Sequence, residues 1–242
     1  MKTIKLTRLE RQSLDDARSK ARSKGQAILA IGGLSAPSKM PCKSYGLPAS
    51  RCLTGSKLRN VEGSTCSDCY ACKGCYLFSS TVGAHARRMA IVDACVDSGD
   101  WRNFVDSFVI LLRDKPHFRW HDSGDIQSVS HLDAIVQIAW ICNTTQFWIP
   151  TREFGMVRAW MRENGEFPPN LNVRVSAHMT GTIAVSIPGT TSSAVDIVST
   201  MARPDDTLVN TFHCPAPGNN GECGDCRACW NREVPVVTYI LH

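Results

Sequence analysis

The sequence predicts an α/β fold: a (β/α) barrel or partial barrel, TIM-barrel-like, as one domain over 1–242. Long cysteine-rich loops at about 42–75 and 214–229 are expected to sit on it. Three observations carry this reading. Short apolar, β-branched runs alternate with segments of helical period through the middle of the chain. About seven strands can be counted, and the 242 residues match the ~250 usual for this architecture. No G-x-G-x-x-G turn opens a strand-to-helix junction, so a dinucleotide-binding sheet lacks its main support.

The elements follow in order. Residues 5–24 are charged and rich in helix formers, and read as an exposed helix stopped by Gly25. AILAIGG (27–33) reads as a strand. Residues 34–79 lack periodicity and hold six cysteines, Cys42 to Cys75. A loop of that length is usually functional or held by a ligand. Residues 80–97 return to helical spacing, and 100–113 form a second helix with Asp100 as N-cap. HFRWHDSGD is a strand entering a glycine turn, 128–143 a helix, QFWIPTRE a strand, and 154–165 a helix stopped by Gly165. NVRVSAHM, TIAVSIPG, TLVNTFHC and PVVTYIL (235–241) read as further strands, with no clear helix over 180–203.

Composition narrows the function classes. Apolar residues at 43% and charged residues at 20% exclude long disorder as the main state. No apolar run reaches the ~18 residues of a membrane span. The basic N-terminus has neither a continuous apolar stretch nor a small-residue cleavage site, so it does not read as a secretory signal. A net charge of +5 spread along the chain is weak grounds for a nucleic-acid partner.

Twelve cysteines are the abnormal feature. In a reducing compartment such clusters mean metal more often than disulfide. The first run is Cys66, Cys69, Cys72 and Cys75; the second is Cys214, Cys223, Cys226 and Cys229. Repeated C-x2-C steps let neighbouring thiolates converge from a tight turn, and Cys-x2-Cys-x2-Cys matches three ligands of a bacterial 4Fe–4S cluster. The late run supplies four thiolates by itself. The early region offers six for four places: Cys52, Cys66, Cys69 and Cys72 lead, with Cys42 and Cys75 in reserve. Zinc in two four-cysteine knuckles is the alternative. Cys95 and Cys142 each stand alone in an apolar helix and read as core thiols.

Three strand ends carry polar groups toward one rim. His121, Asp122, Ser123 and Asp125 follow Arg119; Thr151, Arg152 and Glu153 end the next strand; Ser176 and His178 end the one after. His121, Asp122, Asp125 and Arg152 are the catalytic candidates. The competing reading makes Asp122 and Asp125 helix caps paired with Arg119 or Arg152.

The segments SKMPCKSYGLPASRC (38–52), GSTCSDCYACKG (63–74), FRWHDSGDIQS (118–128), FWIPTRE (147–153) and CGDCRACW (223–230) resemble, in order, the bacteriophage and prophage gene product 88 family. The resemblance implies a viral protein in the cytoplasm of an infected bacterium, without a settled biochemical role. It implies Cys52, Cys66, Cys69 and the late group as the family's cysteines; Cys72 and Cys75 fall at variable positions, which leaves a 3Fe–4S centre open at the first site. Cys52 ahead of C-x2-C-Y-A is more distantly similar to radical S-adenosylmethionine enzymes, which use a partial barrel with a rim cluster. The usual C-x3-C-x2-C run of those enzymes is absent.

Three functions are therefore carried forward. The first is an iron–sulfur protein with two clusters, of 4Fe–4S type, in electron transfer with a redox partner or small-molecule substrate. Tyr70 and Trp230 would shield its clusters. The second is a radical enzyme binding S-adenosylmethionine at an open iron. The third is a zinc-stapled binding module.

Overall fold

The computed structural model describes residues 23–196, 208 and 210–241. Seven strands form one sheet: β1 (Ser44–Tyr45), β2 (His117–Trp120), β3 (Gln146–Thr151), β4 (Leu171–Ser176), β5 (Thr191–Asp196), β6 (Phe212–His213) and β7 (Val236–Ile240). Their spatial order is β1-β2-β3-β4-β5-β7-β6, and every pair is parallel. Among the described residues six α-helices accompany them: α1 (Lys24–Ala30), α2 (Leu53–Leu58), α3 (Ser79–Ser98), α4 (Arg102–Leu112), α5 (Val129–Ile141) and α6 (Phe154–Asn164). No helix among the described residues is long and apolar enough to cross a membrane.

Local chemistry explains the boundaries. The Ser128 hydroxyl accepts the His131 N–H and starts α5, as an N-cap should. Gly165, at φ 86°, ends α6. Trp101 is the cap residue of α4, but the Asp100 carboxylate does accept the Arg102 N–H at 3.0 Å.

Three further expectations are corrected. Gly25 does not stop a helix. It lies inside α1, which starts because Ser23 and Gln26 close a reciprocal capping box. The rest of the segment expected as a helix over 5–24, residues 5–22, lies outside the described residues. AILAIGG is accordingly not a strand; Ala27–Ala30 are helical, and Gly32 and Gly33 turn the chain with φ of 73° and 90°. TIAVSIPG is a loop, since β4 already pairs with β3 on one edge and β5 on the other. Ala184 and Ile187 still reach the core from it. The fifth strand is instead TSSAVD, whose polar letters hide a buried position. Its Thr191 hydroxyl bonds Asn172 at 2.7 Å and its Ser193 hydroxyl bonds Ser176 at 2.9 Å, so burial leaves neither unsatisfied.

The two faces of the sheet differ. Phe118, Trp120, Phe147, Ile149, Val173 and Val175 face the helices and share one core with Met89, Phe104, Phe108, Leu132, Ile135 and Val157. Cys95 and Cys142 are buried in that core. The alternate residues, among them Arg119, Trp148, Ser176, Ser193 and Tyr239, face a cavity on the other side. The four longer helices bury their apolar residues on one face, and the opposite face meets the cysteine-bearing segments and the first half of α3.

Candidate metal centre

The first cysteine group is built on α2 and the turns after it. Cys52 is the cap residue of α2, Cys66 is buried, and Cys69 and Cys72 bracket a single turn closed by the Cys72 N–H donating to the Cys69 carbonyl at 3.0 Å. Gly55, buried in α2, leaves the space between two of these thiols open. A Cβ there would lie 3.0 Å from Cys52 Cβ, 3.4 Å from Cys66 Sγ and 3.7 Å from Cys52 Sγ. Burial pushes the thiols of Cys52, Cys66 and Cys72 up, and neighbouring thiols of the group add to it. Arg152 opposes this at Cys52 and Cys66. Cys75 is exposed on the following turn.

The strand-end motifs hold this loop in place. Asp125 accepts hydrogen bonds from the Thr151 hydroxyl at 2.7 Å, the Arg152 N–H at 2.9 Å and the Ile126 N–H at 2.8 Å. Burial raises its carboxyl to about 6. Arg152 Nε donates to the Thr65 hydroxyl at 3.0 Å, one residue before Cys66. The Glu153 carboxylate accepts the Thr54 N–H and hydroxyl, two residues after Cys52. His178 is stacked on Phe154 at 4.5 Å, with its Nε2 3.3 Å from the Arg152 carbonyl. Asp125 and Arg152 are thus joined through main-chain and hydroxyl contacts, and they form no ion pair with each other among the described residues.

The second group has five members. Cys42, placed with the early cysteines on sequence grounds, packs instead beside Cys214, Cys226 and Cys229 around Trp148, Trp230 and Val237. The cause is topological: Cys42 precedes β1, whereas Cys52 to Cys75 follow it. The Cys223 N–H donates to the Lys39 carbonyl at 3.0 Å and ties the two segments together. Arg174, fully buried, donates to the carbonyls of Ser192, Ala228, Asn231 and Val234, while Asn172 holds the Cys229 carbonyl and Trp230 Nε1 donates to Phe118. Burial raises Cys42 to about 12 and Cys229 to about 11, and pushes Cys214 and Cys223 up. The Cys229 sulfur lies 3.1 Å from the Tyr239 hydroxyl. This group lies across the open face of the sheet, not only at its rim.

Cys52, Cys66, Cys69 and Cys75 of the first group and Cys214, Cys223 and Cys229 of the second line one cavity of about 980 Å³. His121, Asp122 and Ser123 are buried and share its wall. His121 has φ 53°, a left-handed conformation rare for a side-chain-bearing residue, and burial lowers its imidazole to about 4. Its Nδ1 is 3.3 Å from the Tyr45 carbonyl, which only accepts, so Nδ1 carries the hydrogen and Nε2 is left without a partner. Asp122 accepts the Ser44 hydroxyl at 2.7 Å, and its own carbonyl accepts the Tyr70 hydroxyl at 2.6 Å. His85, which spacing did not single out, stands close by: a Cβ on Gly46 would meet Asp122 Oδ1 at 2.7 Å and His85 Nε2 at 2.8 Å. Arg174 was equally overlooked, although a charge at an inward position of VRVS was a readable signal.

None of the twelve cysteines is in a disulfide. Among the described residues no three His, Cys, Asp or Glu side chains are gathered tightly enough to hold a single metal ion. A family model described as gene product 88 matches residues 5–232. The chain belongs to the gene product 88 family. No curated protein and no solved structure matches it. The gene product 88 match runs through both cysteine groups and the strand-end motifs between them.

Proposed function

We propose that this gene product 88 protein is a phage-encoded iron–sulfur protein carrying two clusters on a partial (β/α) barrel, working in electron transfer in the host cytoplasm. The observation that carries this reading is the presence of two separate thiol groups on the walls of one cavity. Cys52, Cys66, Cys69 and Cys72 would hold one cluster. Cys214, Cys223, Cys226 and Cys229 would hold the other, with Cys42 as competitor for the place of Cys229, whose sulfur is already engaged by Tyr239.

The cysteines come in runs of three and four rather than in clean pairs, which suits a cluster better than two zinc knuckles. A cubane takes one thiolate per iron corner, so its ligands stand further apart than those of one ion. Gly55 keeps the space beside Cys52 and Cys66 clear. A bound cationic centre would deprotonate the thiols that coordinate it. When bound, the clusters supply one-electron redox chemistry. The chain supplies the rest: Asp125, Arg152 and Glu153 fix the first loop, and Arg174, Asn172 and Trp230 fix the second.

A radical enzyme using S-adenosylmethionine is the second reading. What favours it is the spare cavity beside the first group, at a volume that accommodates a cofactor-sized molecule, with His121, Asp122 and Arg152 on its wall. Visible and paramagnetic-resonance spectra of anaerobically purified protein, with iron, sulfide and zinc counted, test both. About eight irons and eight sulfides per chain support two 4Fe–4S clusters. An oxidised three-iron signal together with S-adenosylmethionine binding moves the assignment to the radical enzyme. A colourless zinc protein overturns both and leaves the stapled module.

A further inference from the structure

Four polar atoms in the core behind the turn after β2 have no hydrogen-bond partner among the described residues: Trp101 Nε1, Trp120 Nε1, His121 Nε2 and His131 Nε2. Their side chains are buried and pack on one another in series. Trp101 is stacked on His131, with centroids 5.1 Å apart and planes at 6°. His131 meets His121 edge-on at 5.3 Å, and His121 lies against Trp120 at 6.1 Å. Buried polar atoms are almost always paired. Four bare ones in a single aromatic stack call for a partner that is not a side chain.

The bonds at the other ring nitrogens fix the chemistry of that partner. His121 Nδ1 donates to the Tyr45 carbonyl at 3.3 Å, so its Nε2 is a bare acceptor. His131 Nδ1 accepts the Gln127 N–H at 3.3 Å, so its Nε2 carries the hydrogen and is a bare donor. The two indoles can only donate. Burial pushes both imidazoles down and so favours their neutral forms. A cation would meet N–H hydrogens here, and an anion would meet the His121 lone pair. A water molecule has the matching pattern. It donates to His121 Nε2 and accepts from His131 and an indole, the three bonds usual for an internal water.

We propose that His121 and His131 enclose a buried water site, and that through it His131 is a positioning residue for the cavity wall. His121 opens the turn 121–125 in a left-handed conformation at φ 53°, which its surroundings must impose. Its main-chain N–H and its ring both bind the Tyr45 carbonyl on β1, and the water holds it from α5. Asp122 and Ser123 come next and line the cavity, and the Ser123 carbonyl accepts the Leu47 N–H at 2.8 Å. This inference does not depend on what the cysteines bind.

A high-resolution crystal structure of the full chain tests the site. Density for a water within hydrogen-bond reach of both His121 Nε2 and His131 Nε2 is expected. A direct bond between the two nitrogens, or no water between them, overturns the proposal. Hydrogen exchange tests the positioning. His131→Phe keeps a ring against Trp101 but removes the donor to the water, and His131→Gln restores a donor near the place of Nε2. The amides of Leu47 and of 122–126 should exchange about tenfold faster in His131→Phe, the scale of one lost buried hydrogen bond. They should recover most of their protection in His131→Gln, while α6 keeps wild-type protection in both. If His131→Phe does not fold, His131→Asn replaces it, since its shorter amide reaches the Gln127 N–H but not the place of Nε2. No acceleration, or equal acceleration in α6, overturns the positioning role.

Discussion

The Glu153 carboxylate receives both the main-chain N–H and the hydroxyl of Thr54, each at 2.8 Å, and so ties the start of α6 to the first turn of α2. Glu153 is buried, and ninety-nine positions separate the partners. The contact fixes the turn that carries Cys52 relative to the end of β3. Glu153→Gln keeps the shape but presents an amide N–H to one of the two donors. It should destabilise the protein by about 1–3 kcal/mol, read as a lower urea midpoint with an unchanged slope.

Gly55→Ala separates folding from metal binding. The position is helical with no left-handed φ, so alanine favours α2 by about 0.5–1 kcal/mol. Its methyl would enter the space beside Cys52 and Cys66. The 3.0 Å approach to Cys52 Cβ offsets that gain, so unfolding of the metal-free chain should change by less than about 2 kcal/mol, while metal bound per chain falls. Unchanged metal content would remove Gly55 as the guardian of that space.

Arg174 anchors the second loop. Arg174→Met removes the donor to four carbonyls and leaves them buried. A loss of about 1–3 kcal/mol for a buried carbonyl left without its donor is expected, together with faster hydrogen exchange over 226–234. Retention of wild-type protection there would show that the loop is held by other contacts.

His121 sets an acid limit. Its folded value of about 4 lies below the ordinary 6.5, because burial penalises the charged ring. Between those values the unfolded chain binds the extra proton. Stability from this group is complete above pH 6.5 and is lost as pH falls toward 4, by up to about 3 kcal/mol. His121→Asn, which tolerates the left-handed backbone, should flatten the stability profile over that window. Asp125 acts in the opposite sense: raised from 3.8 to about 6, it contributes most below pH 3.8 and loses that contribution as pH rises through 6. Asp125→Asn should steepen the acid loss between pH 4 and 6. Denaturation midpoints at half-unit pH steps measure both.

Much of this was legible before any tertiary structure. Helical period and caps placed α3 to α6, because local patterns of burial and capping act within a few residues. The strands β2, β3, β4 and β7 showed as apolar runs between turn signals. The C-x2-C steps marked the cysteines, since spacing alone sets which thiols share a turn. The N-terminal reading failed at Gly25 and AILAIGG because a capping box at Ser23 outweighed both glycine and β-branched content. The fifth strand was missed because sheet position, not hydrophobicity, buries Thr191 and Ser193, and only partners on β4 make that burial affordable.

The chain by itself determined its α/β class, its family and its two cysteine runs, all properties of residues close in sequence. Tertiary structure alone decided the company each cysteine keeps. Cys42 joins the late group because the parallel order of the sheet carries the segment before β1 onto its open face beside Trp148 and Trp230. Asp125 and Arg152 prove to be joints of the first loop, because their partners Thr151 and Thr65 arrive from other strands and turns. Long-range pairing brings these groups together, and no spacing rule within one segment encodes it.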